Sequence, residues 1–191
     1  MWRPVVVTVA PAAEPLTTAD AKAQVREDSS DYDTLIASFV AAARAHVEAR
    51  TATRLYTQTV SFKTDDWADL AHLPICPVQS ISSISYTDTA GDVISLSTDI
   101  YETRLELLEP AVVLKYNQSW PTIRTGSLIT VTAVVGYGVA GAQPPEVIHA
   151  MRLLVGDWYD NRATVDDSPK VAVPMAAAVD ALLANHTRFL I

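Results

Sequence analysis

Residues able to do chemistry are few and scattered. The four histidines, His46, His72, His149 and His186, have no metal-ligand spacing to one another or to the one cysteine, Cys76. A nucleophilic thiol needs a base and an oxyanion site close by. The segment Leu73-Pro74-Ile75-Cys76-Pro77 supplies neither, so Cys76 is expected to be a buried structural thiol. Two acid pairs, Asp65-Asp66 and Asp166-Asp167, carry the residue types for acid–base hydrolysis or calcium binding. Both fall in expected loops that lack the glycine and spaced acids of a calcium loop, and they read as solvated turns. Gly136-Tyr137-Gly138-Val139-Ala140-Gly141 follows a strand but has neither the glycine order of a dinucleotide loop nor a phosphate-binding lysine. It reads as a strand ending that needs positive φ. Trp158-Tyr159-Asp160-Asn161-Arg162 could form a binding platform, although aromatics at a helix end more often anchor a core or an interface. No catalytic, metal or cofactor site emerges, and the chain is read as non-enzymatic. The competing readings are a small binding module and a hydrolase with an unrecognised site. Convergence of Asp and His side chains in one pocket would mark the hydrolase.

The elements that would position any site can be read from periodicity. Val5–Val9 is a short extended segment, broken by Pro11 and Pro15. Thr17, with Asp20 three residues on, marks the start of a short helix over about 17–26. A second start at Ser30-Asp31-Tyr32-Asp33 leads into a helix over about 31–50. There Tyr32, Leu35, Ile36, Phe39, Val40, Ala43 and Val47 recur at helical spacing, and a core face of Tyr32, Leu35, Phe39, Val40 and Val47 is expected. Alanines fill much of the rest of this helix and permit close approach of a neighbour.

The middle of the chain changes period. Residues 55–64, 81–86, 93–96, 111–115 and 128–135 read as strands, with 88–92 as a hairpin turn. Helix returns at Pro144-Pro145-Glu146, where proline loses no needed hydrogen bond. Its apolar face is Val147, Ile148, Met151, Leu154, Val155 and Trp158, and Trp158-Tyr159, flanked by Asp157 and Arg162, is expected to anchor the core or a subunit boundary. Pro174 opens a last helix to about residue 186. Helices, then antiparallel strands, then helices make an α+β layout. The division expected is an N-terminal extended segment at 1–15, a single α+β domain at 16–186 and a C-terminal tail at 187–191.

Composition limits what such a domain can do. Hydrophobic residues make up 49%, enough for a packed core. The formal net charge of −8 gives no counterion release on nucleic acid and so disfavours direct DNA binding. One cysteine permits no disulfide within the chain, in keeping with a reducing compartment. The N-terminus bears a faint likeness to a secretory signal, against which its apolar run is short and lies between Pro4 and Pro11. No stretch reaches the roughly 18 apolar residues of a membrane span.

Several segments, in order, resemble the head–tail connector (adaptor) family of long-tailed phages and gene transfer agents. They begin with Leu16-Thr17-Thr18-Ala19-Asp20-Ala21-Lys22 and Asp31-Tyr32-Asp33-Thr34-Leu35-Ile36. Ala41-Ala42-Ala43-Arg44-Ala45-His46-Val47-Glu48 is like the core of the family's long helix. Leu73-Pro74-Ile75-Cys76-Pro77-Val78-Gln79-Ser80-Ile81 resembles its proline-flanked step. Val135-Gly136-Tyr137-Gly138, Pro145-Glu146-Val147-Ile148 and Leu153-Leu154-Val155-Gly156-Asp157-Trp158-Tyr159-Asp160-Asn161-Arg162 resemble its later half, and Val173-Pro174 opens a closing helix through Ala181-Leu182-Leu183. Together these span about residues 15–184.

The resemblance implies a structural subunit that forms a homo-oligomeric ring, usually twelvefold, under the portal protein. Such a ring extends the channel through which DNA leaves the head, with DNA passing and not specifically bound. A tail-side stopper or tail terminator protein docks beneath, and no membrane is involved. The place implied is the cytoplasm during assembly and then the head–tail junction of the particle. In relatives the C-terminal segment reaches toward the portal, so Thr187, Arg188, Phe189, Leu190 and Ile191 are the portal-interface candidates, ordering when they dock. A net negative or neutral channel surface is expected, with Asp65, Asp66, Asp88, Asp92, Asp166 and Asp167 as candidate lining acids.

Overall fold

A computed structural model describes residues 1–161 and 175–188. The fold is α+β, with two compact units interleaved along the chain. One comprises Met1–Ala12 and Tyr56–Tyr137; the other comprises Ala13–Leu55 and the described residues from Gly138 on.

The first unit is built on a five-stranded antiparallel sheet. Its strands are β1 (Val6–Val9), β2 (Gln58–Thr64), β3 (Val78–Thr87), β4 (Val93–Ser95) and β7 (Ile129–Val135), in the order β1-β2-β7-β3-β4. β5 (Tyr101–Arg104) and β6 (Ala111–Leu114) form a separate hairpin. Sequence alternation fixes the register of the central pair. Val60 lies opposite Ala133 and Phe62 opposite Val131, and all four are buried. A one-residue slip would turn every one of these side chains to the other face.

β3 needs a different device. Ile81 and Ile84 are three residues apart, so strict alternation would send them to opposite faces. A register shift between Ile81 and Ser83 absorbs the extra residue. Ile84 is then buried and Ile81 packs against the same cluster. At the sheet's far end Trp67 and Trp120 stack at 4.9 Å, and the Trp67 indole N–H donates to the Pro121 carbonyl at 2.9 Å. Trp67 belongs to a 3-10 turn, Trp67–Ala71, which periodicity did not reveal.

The second unit contains α1 (Thr18–Val25), α2 (Asp33–Thr51), α3 (Pro145–Asp160) and α4 (Met175–Leu183), the last followed by a 3-10 turn at Ala184–His186. Thr17 caps α1 as expected: its hydroxyl accepts from the Asp20 N–H at 3.1 Å and donates to the Asp20 carboxylate at 2.7 Å. Ser30 does not cap α2. The helix begins two residues later, after Tyr32, with no side-chain cap bond.

The buried face of α2 is Ile36, Val40, Ala43 and Val47. The expected core face was centred one residue away. Tyr32 is exposed, and Phe39 is half-buried against the edge of Trp158 with centroids 6.3 Å apart. The 3.6-residue period places Ile36, Val40, Ala43 and Val47 on one line, with the bulkier aromatics on its flank. α3 buries Val147, Ala150, Met151, Leu154 and Val155, and α4 buries Val179 and Leu183. Pro174 lies outside the described residues.

Candidate functional site

Cys76 is buried. His46 and His149 are exposed on α2 and α3; His72 is exposed at the end of the 3-10 turn. His186 Nε2 lies 3.6 Å from Glu146 Oε2. Among the described residues no three His, Cys, Asp or Glu side chains are grouped to hold a metal ion. The Arg50 hydrogen bond holds the Asp180 carboxyl down, and His46 lies close enough to Asp180 to add a smaller lowering.

Asp65, Asp66 and Asp88 each have a structural task. Asp66 caps the 3-10 turn by accepting from the Ala68 N–H at 2.9 Å. Asp88 Oδ1 accepts from the N–H groups of Ala90, Gly91 and Asp92 at 2.8–2.9 Å, closing the β3–β4 hairpin. Asp65 lies 2.8 Å from the Met1 amino group, whose hydrogen bond holds its carboxyl below the ordinary range. Asp166, Asp167 and Arg162 lie outside the described residues. Burial pushes the Tyr137 phenol up to about 12, with Cys76 adding to the effect, and its buried hydroxyl has no protein hydrogen-bond partner among the described residues. At neutral pH that group is a neutral phenol and no base.

The glycine segment is explained by backbone geometry. Gly136 has φ +113°, and a Cβ there would lie 2.3 Å from the Tyr56 carbonyl oxygen. Gly138 and Gly141 also have positive φ, at +140° and +89°. The expected strand ending is what the chain forms.

Two polar networks escaped the sequence reading. Glu48 is only 6% exposed, and it accepts from the Leu55 N–H at 2.9 Å with Oε1 while Oε2 lies 3.3 Å from Arg44. Arg44 also reaches Glu14 at 2.6 Å. The four-residue spacing of Arg44 and Glu48 on one helix was the available signal. Buried Gln143 donates to the Leu55 carbonyl at 2.8 Å and the Val139 carbonyl at 3.1 Å, and it accepts from the Gly141 N–H at 3.1 Å. The first network ties α2 to the segment that follows it, and the second ties the loop before α3 to that same segment.

The Trp158–Tyr159 group and the described C-terminal residues are placed by contacts within the chain. Trp158 is half-buried, with Phe39 and His46 rings at 6.3 and 6.4 Å. Tyr159 donates to Glu27 at 2.7 Å and sits edge-on to Tyr32 at 6.1 Å. Asp157, expected to flank this group with Arg162, accepts from the Asn161 side chain at 2.9 Å. Of the expected portal-interface residues, Thr187 donates to the Leu183 carbonyl at 2.9 Å, and the Arg188 N–H donates to the Thr51 carbonyl at 2.9 Å. Phe189, Leu190 and Ile191 lie outside the described residues. Among the described residues no helix is long and apolar enough to cross a membrane.

No protein-family model matches the chain, and no curated protein matches it. Solved structures do. A chain in the neck of an empty gene transfer agent particle, computed with C6 symmetry, aligns with TM-score 0.80 at 22% identity, covering 99% of this chain and 97% of that one. A chain of the native gene transfer agent virion gives the same values. A chain in the neck of the native particle, computed with C12 symmetry, aligns with TM-score 0.78 at 21% identity over the same shares. The likeness covers both units and shows the fold they share.

Proposed function

We propose that this chain is a structural, non-enzymatic subunit of the head–tail neck of a phage-like or gene transfer particle. More specifically, we read it as the connector that forms a ring beneath the portal and extends the DNA exit channel toward the tail. The observation that carries this reading is the end-to-end likeness to neck chains, 99% of this chain and 97% of the neck chain at TM-score 0.80. The sequence resemblance to head–tail connectors, which rests on motif order and not on backbone geometry, accords with it.

In this reading the partners are the portal above, a stopper or tail terminator below, and further copies of the chain in a ring, twelvefold on the portal. Thr187 to Ile191 supply the portal contact. The net charge of −8 suits a conduit, because a basic lining would hold phosphates by counterion release. An acidic or neutral lining leaves the duplex mobile, within a Debye length of about 8 Å at physiological salt. The test is co-expression with the portal protein of the same particle, followed by mass measurement of the purified complex. A complex whose mass equals the portal plus a ring of this chain supports the reading. A chain that remains free of the portal at high concentration refutes it.

A further inference from the structure

The five-stranded sheet ends in two strands that each have one neighbour, β1 and β4. Both edges are apolar and open. Val6 and Val9 are each 59% exposed, Val93 is 75% exposed, and Val7 and Ile94 are exposed beside them. Val6-Val7-Thr8-Val9 and Val93-Ile94-Ser95 contain no charged residue and no proline, the usual means by which sheet edges are kept from pairing with another chain. Their protection is limited to their shortness, four and three residues, and to the register shift between Val7 and Val9.

Strand direction determines how two such edges can meet. Every neighbouring pair in the sheet is antiparallel. With five strands, β1 and β4 therefore run the same way. Rotation about a ring axis sets β4 of one copy beside β1 of the next, and those strands are then parallel. A two-fold axis would instead set β1 against β1, or β4 against β4, antiparallel.

Charge separates these arrangements. Exposed Arg3 precedes β1, and exposed Lys63 lies on the neighbouring β2. The nearby acids Asp65 and Asp69 are paired with the Met1 amino group, and Arg3 adds a weaker effect on Asp65. Exposed Asp92 precedes β4; exposed Asp99 follows it, beside Lys115, whose ammonium donates to the Thr98 carbonyl at 2.8 Å, so Asp92 is the acid that counts at this edge. Joining β4 to β4 would set acid near acid, whereas joining β4 to β1 brings the two signs together.

We propose that copies of this chain join head to tail by parallel pairing of β4 with β1 of the next copy, continuing the sheet around the ring. This rests on the neck-ring reading and names the surface that closes the ring. The test uses the full chain co-expressed with its portal, carrying Val7→Cys together with Val93→Cys, Ile94→Cys or Ser95→Cys in turn. Within one chain the two edges are four strand spacings apart, about 19 Å. That exceeds the Cα separation of about 7 Å that a disulfide tolerates, so any disulfide between the introduced cysteines joins two chains.

Oxidation followed by non-reducing electrophoresis should give a ladder of multimers for at least one pair. Arg3→Asp or Asp92→Lys should weaken the ladder, and the double variant should restore it. A portal-bound ring with no ladder from any pair overturns the edge pairing while leaving the neck reading intact. Dimers from Val7→Cys alone would point to two-fold β1 pairing and also overturn it. Failure of the unsubstituted chain to form a ring on the portal removes the neck reading, and this inference with it.

Discussion

Glu48 Oε1 accepts the Leu55 backbone N–H at 2.9 Å, so a helical carboxylate fixes the chain just where it leaves the helical unit. The carboxylate is nearly inaccessible, with Arg44 and Arg54 at 3.3 and 3.8 Å from its other oxygen. Removing it strands a buried N–H and leaves two guanidinium groups short of a partner. Glu48→Ala should therefore destabilise the fold by about 3 kcal/mol. Glu48→Gln, which keeps an acceptor for Leu55, should cost about half as much by the same reasoning. Chemical denaturation of the two variants measures both values. Equal losses would mean that charge, and not the hydrogen bond to Leu55, is what matters.

Gly136 offers a backbone test. Its φ of +113° and the 2.3 Å approach that a Cβ would make to the Tyr56 carbonyl both exclude a side chain. Gly136→Ala should lower stability by about 3 kcal/mol, from strain at positive φ together with displacement of the Tyr56 peptide. Gly91→Ala has open space around the added Cβ at φ +102° and should cost less. Melting temperatures of the two variants in parallel would rank them; the reverse order would contradict the geometry.

On α2, Ile36 is fully buried whereas Phe39 lies half-exposed against Trp158. Ile36→Ala should cost about 3–4 kcal/mol, in the range for buried aliphatic truncation. Phe39→Ala should cost about 1–2 kcal/mol, mostly from the lost aromatic contact and partial burial. Denaturant midpoints distinguish them, and a larger loss at Phe39 would restore the face first expected from the sequence.

The order of helices and strands was legible because apolar period changes sharply along the chain. Positions 58–64 and 129–135 alternate, and 145–160 has a clear helical stripe. Other features could not be read locally. β5, Tyr101-Glu102-Thr103-Arg104, has one buried residue and gains its strand character from pairing with β6. The bulge after Ile81 is visible only once β7 sets the register. The expectation that no side chains would converge for catalysis came from spacing alone. The Glu48 network needed the fold to bring Leu55 back to α2.

Asp180 on α4 provides a pH readout. The hydrogen bond from Arg50 at 2.8 Å, with its charge, holds the Asp180 carboxyl below its ordinary value of 3.8. A lowered folded-state value stabilises the fold above 3.8 and loses that contribution as pH falls through the folded value. Carboxyl titration by NMR should show the Asp180 midpoint below 3.8, and Arg50→Gln should return it toward 3.8. An unchanged midpoint in the variant would show that the pair does not persist in solution.

The tail can be tested without disturbing the contact that ties it down. Ending the chain after Arg188 keeps the Arg188 N–H on the Thr51 carbonyl. Removal of Phe189, Leu190 and Ile191 should leave the melting temperature unchanged and weaken attachment to the portal. A shortened chain that binds portals as well as the full one would exclude these three residues from the contact.

The most direct measurement of the neck assignment is a cryo-electron microscopy reconstruction of the chain co-purified with its portal. The account predicts a closed ring of this chain under the portal, coaxial with an open channel. A complex with single copies on the portal's outer surface, or no complex at all, would contradict it.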